Sequence, residues 1–227
     1  MQNRYIGDLG DYGKYGLLKI LINSTSLQLG INWCLTPDEN NRNDGQKIEY
    51  SNYKNVDPDL YEKLKLIIHG NRNIKTIEEK IFNGMNVKFY SATLKDRGKK
   101  DYYFNNSFSR LKESDLLFFD PDNGLEVKSS KSKPFKYVYF DDLNKYAENG
   151  YSLIIFQYRD RTEDCWERKL NDLKCKYPLL KIFYLKYSLR PNVYFFMINK
   201  NHCGEIEKFI NAFRISNWNE LFDIREY

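Results

Sequence analysis

Short apolar runs alternate along this chain with polar, glycine-punctuated segments. Leu116–Phe119 and Ser152–Phe156 are almost unbroken apolar stretches. That pattern fits strands buried on both faces of a parallel sheet rather than half-exposed ones. Gly30–Leu35 and Asn86–Ser91 read as further strands. Segments of helical character lie between them, over 11–22, 57–68, 74–82, 101–112, 140–148 and 164–176. Asp57 followed by Pro58 is a helix start, with an N-cap ahead of a first-turn proline. Asn149-Gly150 and Pro178 close the two later helices. Residues 36–55 are rich in Asn and Asp and predict a long loop carrying a short strand over 47–50. Residues 128–133, rich in Ser and Lys, predict a mobile loop.

Two more apolar segments, Lys181–Tyr187 and Asn192–Asn199, are joined only by Ser188-Leu189-Arg190-Pro191. That link is too short for a crossover, so the two strands must be antiparallel neighbours. A last helix over 205–213 places Ile206, Phe209, Ile210 and Phe213 at i, i+3, i+4 and i+7. The strand–helix alternation predicts a mostly parallel sheet with helices on both faces, closed by an antiparallel hairpin. The expectation is one α/β domain over 1–227.

Composition narrows the class. Hydrophobic residues make up 41% and aromatic residues 16% of the 227 positions, enough for a packed core. No apolar run approaches the ~20 residues of a membrane span, so no membrane partner is expected. The polar amino-terminal stretch has no secretory apolar region. Cys34, Cys165, Cys175 and Cys203 are scattered, and with no such region they read as free thiols of a cytoplasmic protein. A net charge of +5 permits nucleic acid as a partner without requiring it.

The candidate chemistry gathers at strand ends. Pro121 and Gly124 stop the 116–119 run sharply, which holds Asp120-Pro121-Asp122-Asn123 at a carboxyl strand edge. Open α/β sheets bind ligands at that edge. A carboxylate there can accept hydrogen bonds from an amine or hold a metal; the alternative is a turn cap. Thr36 and Asp38 follow the first strand on the same edge, and Gln157-Tyr158-Arg159-Asp160-Arg161 follow the 152–156 run, with Arg159 and Arg161 suited to phosphates. Gly7, Gly10, Gly13 and Gly16 recur every third residue around Asp8, Asp11 and Lys14. Each glycine costs a helix roughly 1 kcal/mol. The spacing therefore predicts a backbone concavity near a helix start that receives an anion or substrate, with Lys14 as its charge; the alternative is a glycine-rich turn crossing the sheet closely. Asp8, Asp11, Asp120, Asp122 and Glu126 form a candidate set for a hard divalent cation, which would make the protein a metal-dependent phosphoester hydrolase or nuclease. Tyr50, Tyr53, Tyr102 and Tyr103 read as packing residues, with base stacking as the alternative. His69 and His202 carry no assigned role.

Two of these segments together resemble a known family. A reversed last strand inserted in a mostly parallel sheet is similar to the Rossmann-like fold of S-adenosylmethionine-dependent methyltransferases. The stretch Asp-Leu-Leu-Phe-Phe-Asp120-Pro121 stands where amino-methyltransferases carry an (Asp/Asn)-Pro-Pro-aromatic motif. The ribosomal-RNA adenine-N6 methyltransferases with an Asp-Pro-Pro-Tyr motif open with a Tyr and then Gly-x-Phe-x-Asp-x-x-Lys-His. This chain has Tyr5, then Gly7, Asp11 and Lys14 in the same register, with Tyr15 in place of the His. The resemblance implies S-adenosylmethionine as cofactor and an amino group of a nucleotide or nucleic acid as target. In that scheme Asp120 and the Pro121 carbonyl receive the amine, while Asp11 and Lys14 shape the pocket. Beyond Tyr15, the chain departs from the family at three further points. Asp122 replaces the second Pro and Asn123 the aromatic. The first strand is followed by Thr36-Pro37-Asp38-Glu39-Asn40-Asn41, with no glycine before Gly45. A degenerate, non-catalytic domain that binds nucleic acid or a protein is the third expectation.

Overall fold

The computed structural model describes residues 1–39, 45–95, 97–127, 134–159 and 164–225. The expected loop over 128–133, Asn40 and Asn41 of the 36–55 loop, and Asp160 and Arg161 lie outside the described residues. In chain order the elements are α1 (Leu9–Ser24), β1 (Leu29–Asn32), α2 (Pro58–His69), α3 (Ile74–Lys80), β2 (Val87–Tyr90), α4 (Lys100–Arg110) and β3 (Leu116–Phe119). They continue with β4 (Gly124–Leu125), β5 (Tyr137–Val138), α5 (Phe140–Glu148), β6 (Ser152–Tyr158), α6 (Cys165–Lys176), β7 (Lys181–Tyr187), β8 (Asn192–Ile198), α7 (Cys203–Arg214) and β9 (Phe222–Arg225).

Seven strands form one mixed sheet in the order β2-β1-β3-β6-β8-β7-β9. The β2–β1, β1–β3 and β3–β6 pairs are parallel. Strand β8 runs against both β6 and β7, and β9 runs against β7. The protein is thus α/β, with a mostly parallel sheet and a carboxyl-terminal antiparallel hairpin. Alternate strand residues feed two cores. Leu116, Phe118, Ile154, Phe183 and Phe196 pack with α1, α2, α3 and α7. Leu117, Phe119, Ile155, Phe195 and Met197 pack with α4, α5 and α6. Burial on both faces explains why the 116–119 and 153–155 runs lack polar alternation. Among the described residues no helix is long and apolar enough to cross a membrane. Among the described residues none of the four cysteines is joined in a disulfide.

Several local expectations are corrected. Strand β1 ends at Asn32, short of Leu35, because Asn32 turns the chain. Its Oδ1 accepts from the Cys34 amide at 3.0 Å and from the Tyr103 hydroxyl at 2.6 Å. Cys34 then takes a left-handed φ of 46°, which no strand accommodates. Residues 47–50 form no strand: the Lys47 carbonyl instead accepts the Leu9 amide at the start of α1. The two-residue pair β4–β5 and the edge strand β9 add to the expected elements, being too short for their periodicity to register in the sequence.

The glycine series divides: Gly7 is a turn residue with a left-handed φ of 81°, and Gly10 lines the cavity described below. Gly10, Gly13 and Gly16 lie within α1. A Cβ on Gly13 would stand 2.5 Å from the Tyr187 ring, and one on Gly16 would overlap Trp218. The glycines let the helix lie flush on those two aromatic rings, and the contact offsets their cost in helix propensity.

Candidate active site

Three exits from the sheet meet at one edge: the ends of β3 and β6 and the β7–β8 turn. The amino-terminal end of α1 lies over them, and together they enclose a cavity of about 500 Å³. Asp8, Gly10, Asp11, Lys14, Asp120, Pro121, Asp122 and Asn123 all line it, so both sequence motifs face one space.

The floor is a closed ionic network. Asp8 caps α1, with Oδ1 accepting the Asp11 amide at 3.0 Å. Asp11 Oδ2 reaches back to the Gly7 amide at 3.1 Å and accepts the Tyr15 hydroxyl at 2.7 Å. Asp11 Oδ1 takes Lys14 Nζ at 2.8 Å, and the same ammonium donates to Asp120 Oδ2 at 2.7 Å. Lys14 also lies 5.1 Å from the centre of the Phe156 ring. Burial alone would push the Lys14 ammonium down; the Asp11 and Asp120 carboxylates more than reverse this and hold it above its ordinary value. Asp120 thus commits its Oδ2 to Lys14, and it also lines the cavity.

Asp122 is anchored in the same way. Its Oδ1 pairs with the Met1 ammonium at 2.8 Å. Its Oδ2 accepts from Gln2 at 2.6 Å and from Thr36 at 2.9 Å, with Lys136 at 3.3 Å. Burial opposes ionisation, but the Met1 ammonium, Gln2 and Lys136 outweigh it and hold the carboxyl well below the carboxylate range. The Met1 ammonium also donates to the carbonyls of Asp120 at 2.9 Å and Cys34 at 3.2 Å.

Burial pushes the carboxyls of both Asp8 and Asp120 upward. Asp8 is buried, and burial followed by the nearby Asp11 charge pushes its carboxyl up to about 6, against the pull of Lys14 and Arg190. A carboxyl that changes charge near neutral pH on a cavity wall is equipped for proton transfer.

The other expected residues stand behind the cavity or away from it. Gly7 and Thr36 hold Asp11 and Asp122 respectively. Gln157 is buried and binds the Leu125 amide at 2.8 Å and the Asn123 carbonyl at 3.3 Å, which fixes the motif turn from below. Gly124 has a φ of 94°, and a side chain there would collide with Gln157. Asp38 accepts the Arg4 amide at 3.2 Å on the outside. Arg159 is exposed and engages Pro191 only through its backbone. Glu126 accepts the Phe140 amide at 2.9 Å and does not line the cavity. Tyr50 and Tyr103 are buried packing residues with satisfied hydroxyls. Sequence reasoning missed Met1, Tyr5, Lys47, Phe156, Arg190 and Asn192 as lining residues. The available signal for two of these was the reversed strand itself, since a strand running backwards starts at the edge where its parallel neighbours end.

The donor set does not fit a resident divalent cation. Asp11 and Asp120 already share an ammonium, and among the described residues no group of three or more His, Cys, Asp or Glu is arranged to hold a metal. Comparison with known proteins finds no matching family model, no similar curated protein and no similar solved structure.

Proposed function

We propose that the cavity is the active site of a methyltransferase-like enzyme acting on an amino group of a nucleotide or nucleic-acid substrate. The observation that carries this reading is convergence. Two segments resembling the two methyltransferase motifs, 106 residues apart at Lys14 and Asp120, line one cavity at the carboxyl edge of β3 and β6. The insertion of reversed β8 between β6 and β7 supports the same reading.

The lining fits S-adenosylmethionine chemically. Tyr5, Phe156 and Tyr158 line the cavity together with Asp8, a set of aromatic rings and a carboxylate suited to a sulfonium. The volume is in the range of small-ligand sites, roughly 300–1,000 Å³. The loop after β1 contributes less than the resemblance implies: Thr36 is buried and its amide is taken by the Met1 carbonyl at 2.9 Å. When bound, S-adenosylmethionine supplies an electrophilic methyl group. The chain's own part is to receive and orient the amine. Lys14 holds Asp120 through Oδ2, and the groups lining the cavity where an amine would sit are Asp120, Pro121, Asn123 and Asp8. Asp8 Oδ1 is occupied by the helix cap, so its second oxygen would be the one to accept the amine's proton as the nitrogen took the methyl group and the carbon–sulfur bond broke to release a neutral thioether.

The test is thermal unfolding with and without S-adenosylmethionine, together with transfer of labelled methyl groups to RNA, DNA and free nucleotides. A ligand at about 100 times its Kd stabilises by about 2.7 kcal/mol, a shift of several degrees. No stabilisation and no labelled product would sink the reading.

A further inference from the structure

One side of the cavity carries charge that the floor network does not use. Arg190, in the turn between β7 and β8, lines the cavity and is half-buried. Lys47 lines it as well, from the segment that precedes α2, and is exposed. Among the described residues neither side chain has an ion-pair partner within 4.0 Å, whereas Lys14 and Lys136 in the same region are each paired with two carboxylates. Asn192, the first residue of β8, is 1% exposed and also borders the cavity. Its Nδ2 and the neighbouring Tyr194 hydroxyl make no hydrogen bond of good geometry among the described residues, although the two groups lie close enough to interact.

A buried amide donor left unpaired is costly unless something completes it. Two cations without ion-pair partners lining the same cavity point to what that would be, an acceptor that carries negative charge. We propose that Arg190, Lys47 and Asn192 form an anion subsite that takes the phosphate of a nucleotide. This rests on the function proposed above and names the substrate more closely. Asp8 lines the same cavity, close enough to feel the Arg190 charge, so the cavity offers a carboxylate and a cation together. An amino-bearing base directed at Asp8 and Asn123 and a phosphate directed at Arg190 use both. An uncharged nucleoside uses only the first.

The experiment is titration calorimetry of the full chain with adenosine, adenosine monophosphate and the dinucleoside monophosphate ApA. It is repeated on Arg190→Gln and Lys47→Gln, with S-adenosylmethionine-induced stabilisation measured on the same preparations. Both substitutions are on side chains that are not fully buried, and unchanged melting of each variant confirms that it folds. The expected result is that adenosine monophosphate binds about tenfold or more tightly than adenosine, from charge-assisted hydrogen bonds. That ratio should fall toward one in Arg190→Gln and drop in Lys47→Gln. Preference for the monoester over ApA marks a free nucleotide, and the reverse marks a phosphate within a chain; either is a phosphate in the subsite. Equal affinity for phosphorylated and unphosphorylated ligands, no binding of either, or a ratio unchanged in both variants overturns the subsite. If S-adenosylmethionine stabilises the protein while the ratio stays at one, the methyl-transfer reading stands without the subsite. If the ratio is large and S-adenosylmethionine has no effect, the subsite stands and the methyl-transfer reading falls.

Discussion

The floor and the wall of the cavity use the same vocabulary of carboxylates, cations and amides, and satisfy it to opposite degrees. On the floor every charge is matched: Lys14 answers Asp11 and Asp120, while Met1 and Lys136 answer Asp122. On the wall Asp8 is pushed up to about 6, Arg190 has no ion-pair partner among the described residues, and the Asn192 Nδ2 has no hydrogen-bond partner among them. Floor residues are thus expected to matter first for stability and wall residues for ligands. Substitutions that cost the fold dearly on the floor should cost it little on the wall.

The largest effect is expected from Lys14→Met. The change keeps length and apolar stem but removes the ammonium, so Asp11 and Asp120 are left facing each other without a cation. Losing one partner of a buried ion pair costs about 3–5 kcal/mol. Urea unfolding at neutral pH should show that loss, and the loss should shrink on acidification, because protonating one carboxyl relieves the repulsion. A variant as stable as the parent would mean that the floor network contributes little.

Asp8→Asn tests the wall from the side of stability. A carboxyl held at about 6 when folded and at 3.8 when unfolded binds its proton more tightly in the folded state. Its contribution is therefore fully present below pH 4 and is lost as the pH rises to about 6. Two units correspond to on the order of 3 kcal/mol as an upper bound. Asn keeps the helix cap, since its side-chain oxygen can still accept the Asp11 amide. The variant should therefore be more stable than the parent above pH 6 and should lose the decline between pH 4 and 6. Chemical denaturation across pH 4–8 measures this, and parallel pH curves for parent and variant would remove Asp8 from the account. If Asp8 receives the substrate's proton, the same variant should also lose methyl transfer while still binding ligand.

Gly124→Ala is expected to cost about 1–2 kcal/mol. The position has a left-handed φ of 94° and a Cβ there meets the Gln157 carboxamide that holds the motif turn. Thermal unfolding should show the loss, and Gln157→Ala in the same chain should relieve the collision but not the backbone strain.

These effects explain what could be read from the sequence and what could not. Apolar runs long enough to show periodicity located β3, β6, β7 and β8, and the short 188–191 link gave the hairpin its antiparallel sense. The edge that binds ligands followed from those strands, and with it Asp120 and its neighbours. Lys14 and Asp11 came from a motif resemblance, and the structure brings them to the cavity. What the resemblance could not show is that Asp120 commits one carboxylate oxygen to Lys14. A one-dimensional pattern marks residues that converge and leaves open which of them satisfy one another. The glycine series misled for a related reason: glycine was weighed by its backbone freedom, whereas Gly13 and Gly16 serve the rings of Tyr187 and Trp218, distant in sequence. Arg190 and Asn192 escaped notice because each is an ordinary residue until the reversed strand brings it to the cavity.

The smallest stability effect is expected at Asn192, and it separates floor from wall most sharply. Asn192→Leu replaces a buried amide with an apolar side chain of similar size. The amide leaves Nδ2 unpaired in the free protein, so the substitution removes a desolvation cost and no hydrogen bond made by that nitrogen. Stability should stay within about 1 kcal/mol of the parent, on the gaining side, in contrast to the loss at Lys14. Ligand binding should move the other way, with the preference for adenosine monophosphate over adenosine reduced because one donor to the phosphate is gone. A clearly destabilised Asn192→Leu variant would show that the amide has a structural partner in the free state. Asn192 would then belong with the floor, as one more satisfied residue, and Arg190 and Lys47 would be left to account for any anion the wall holds.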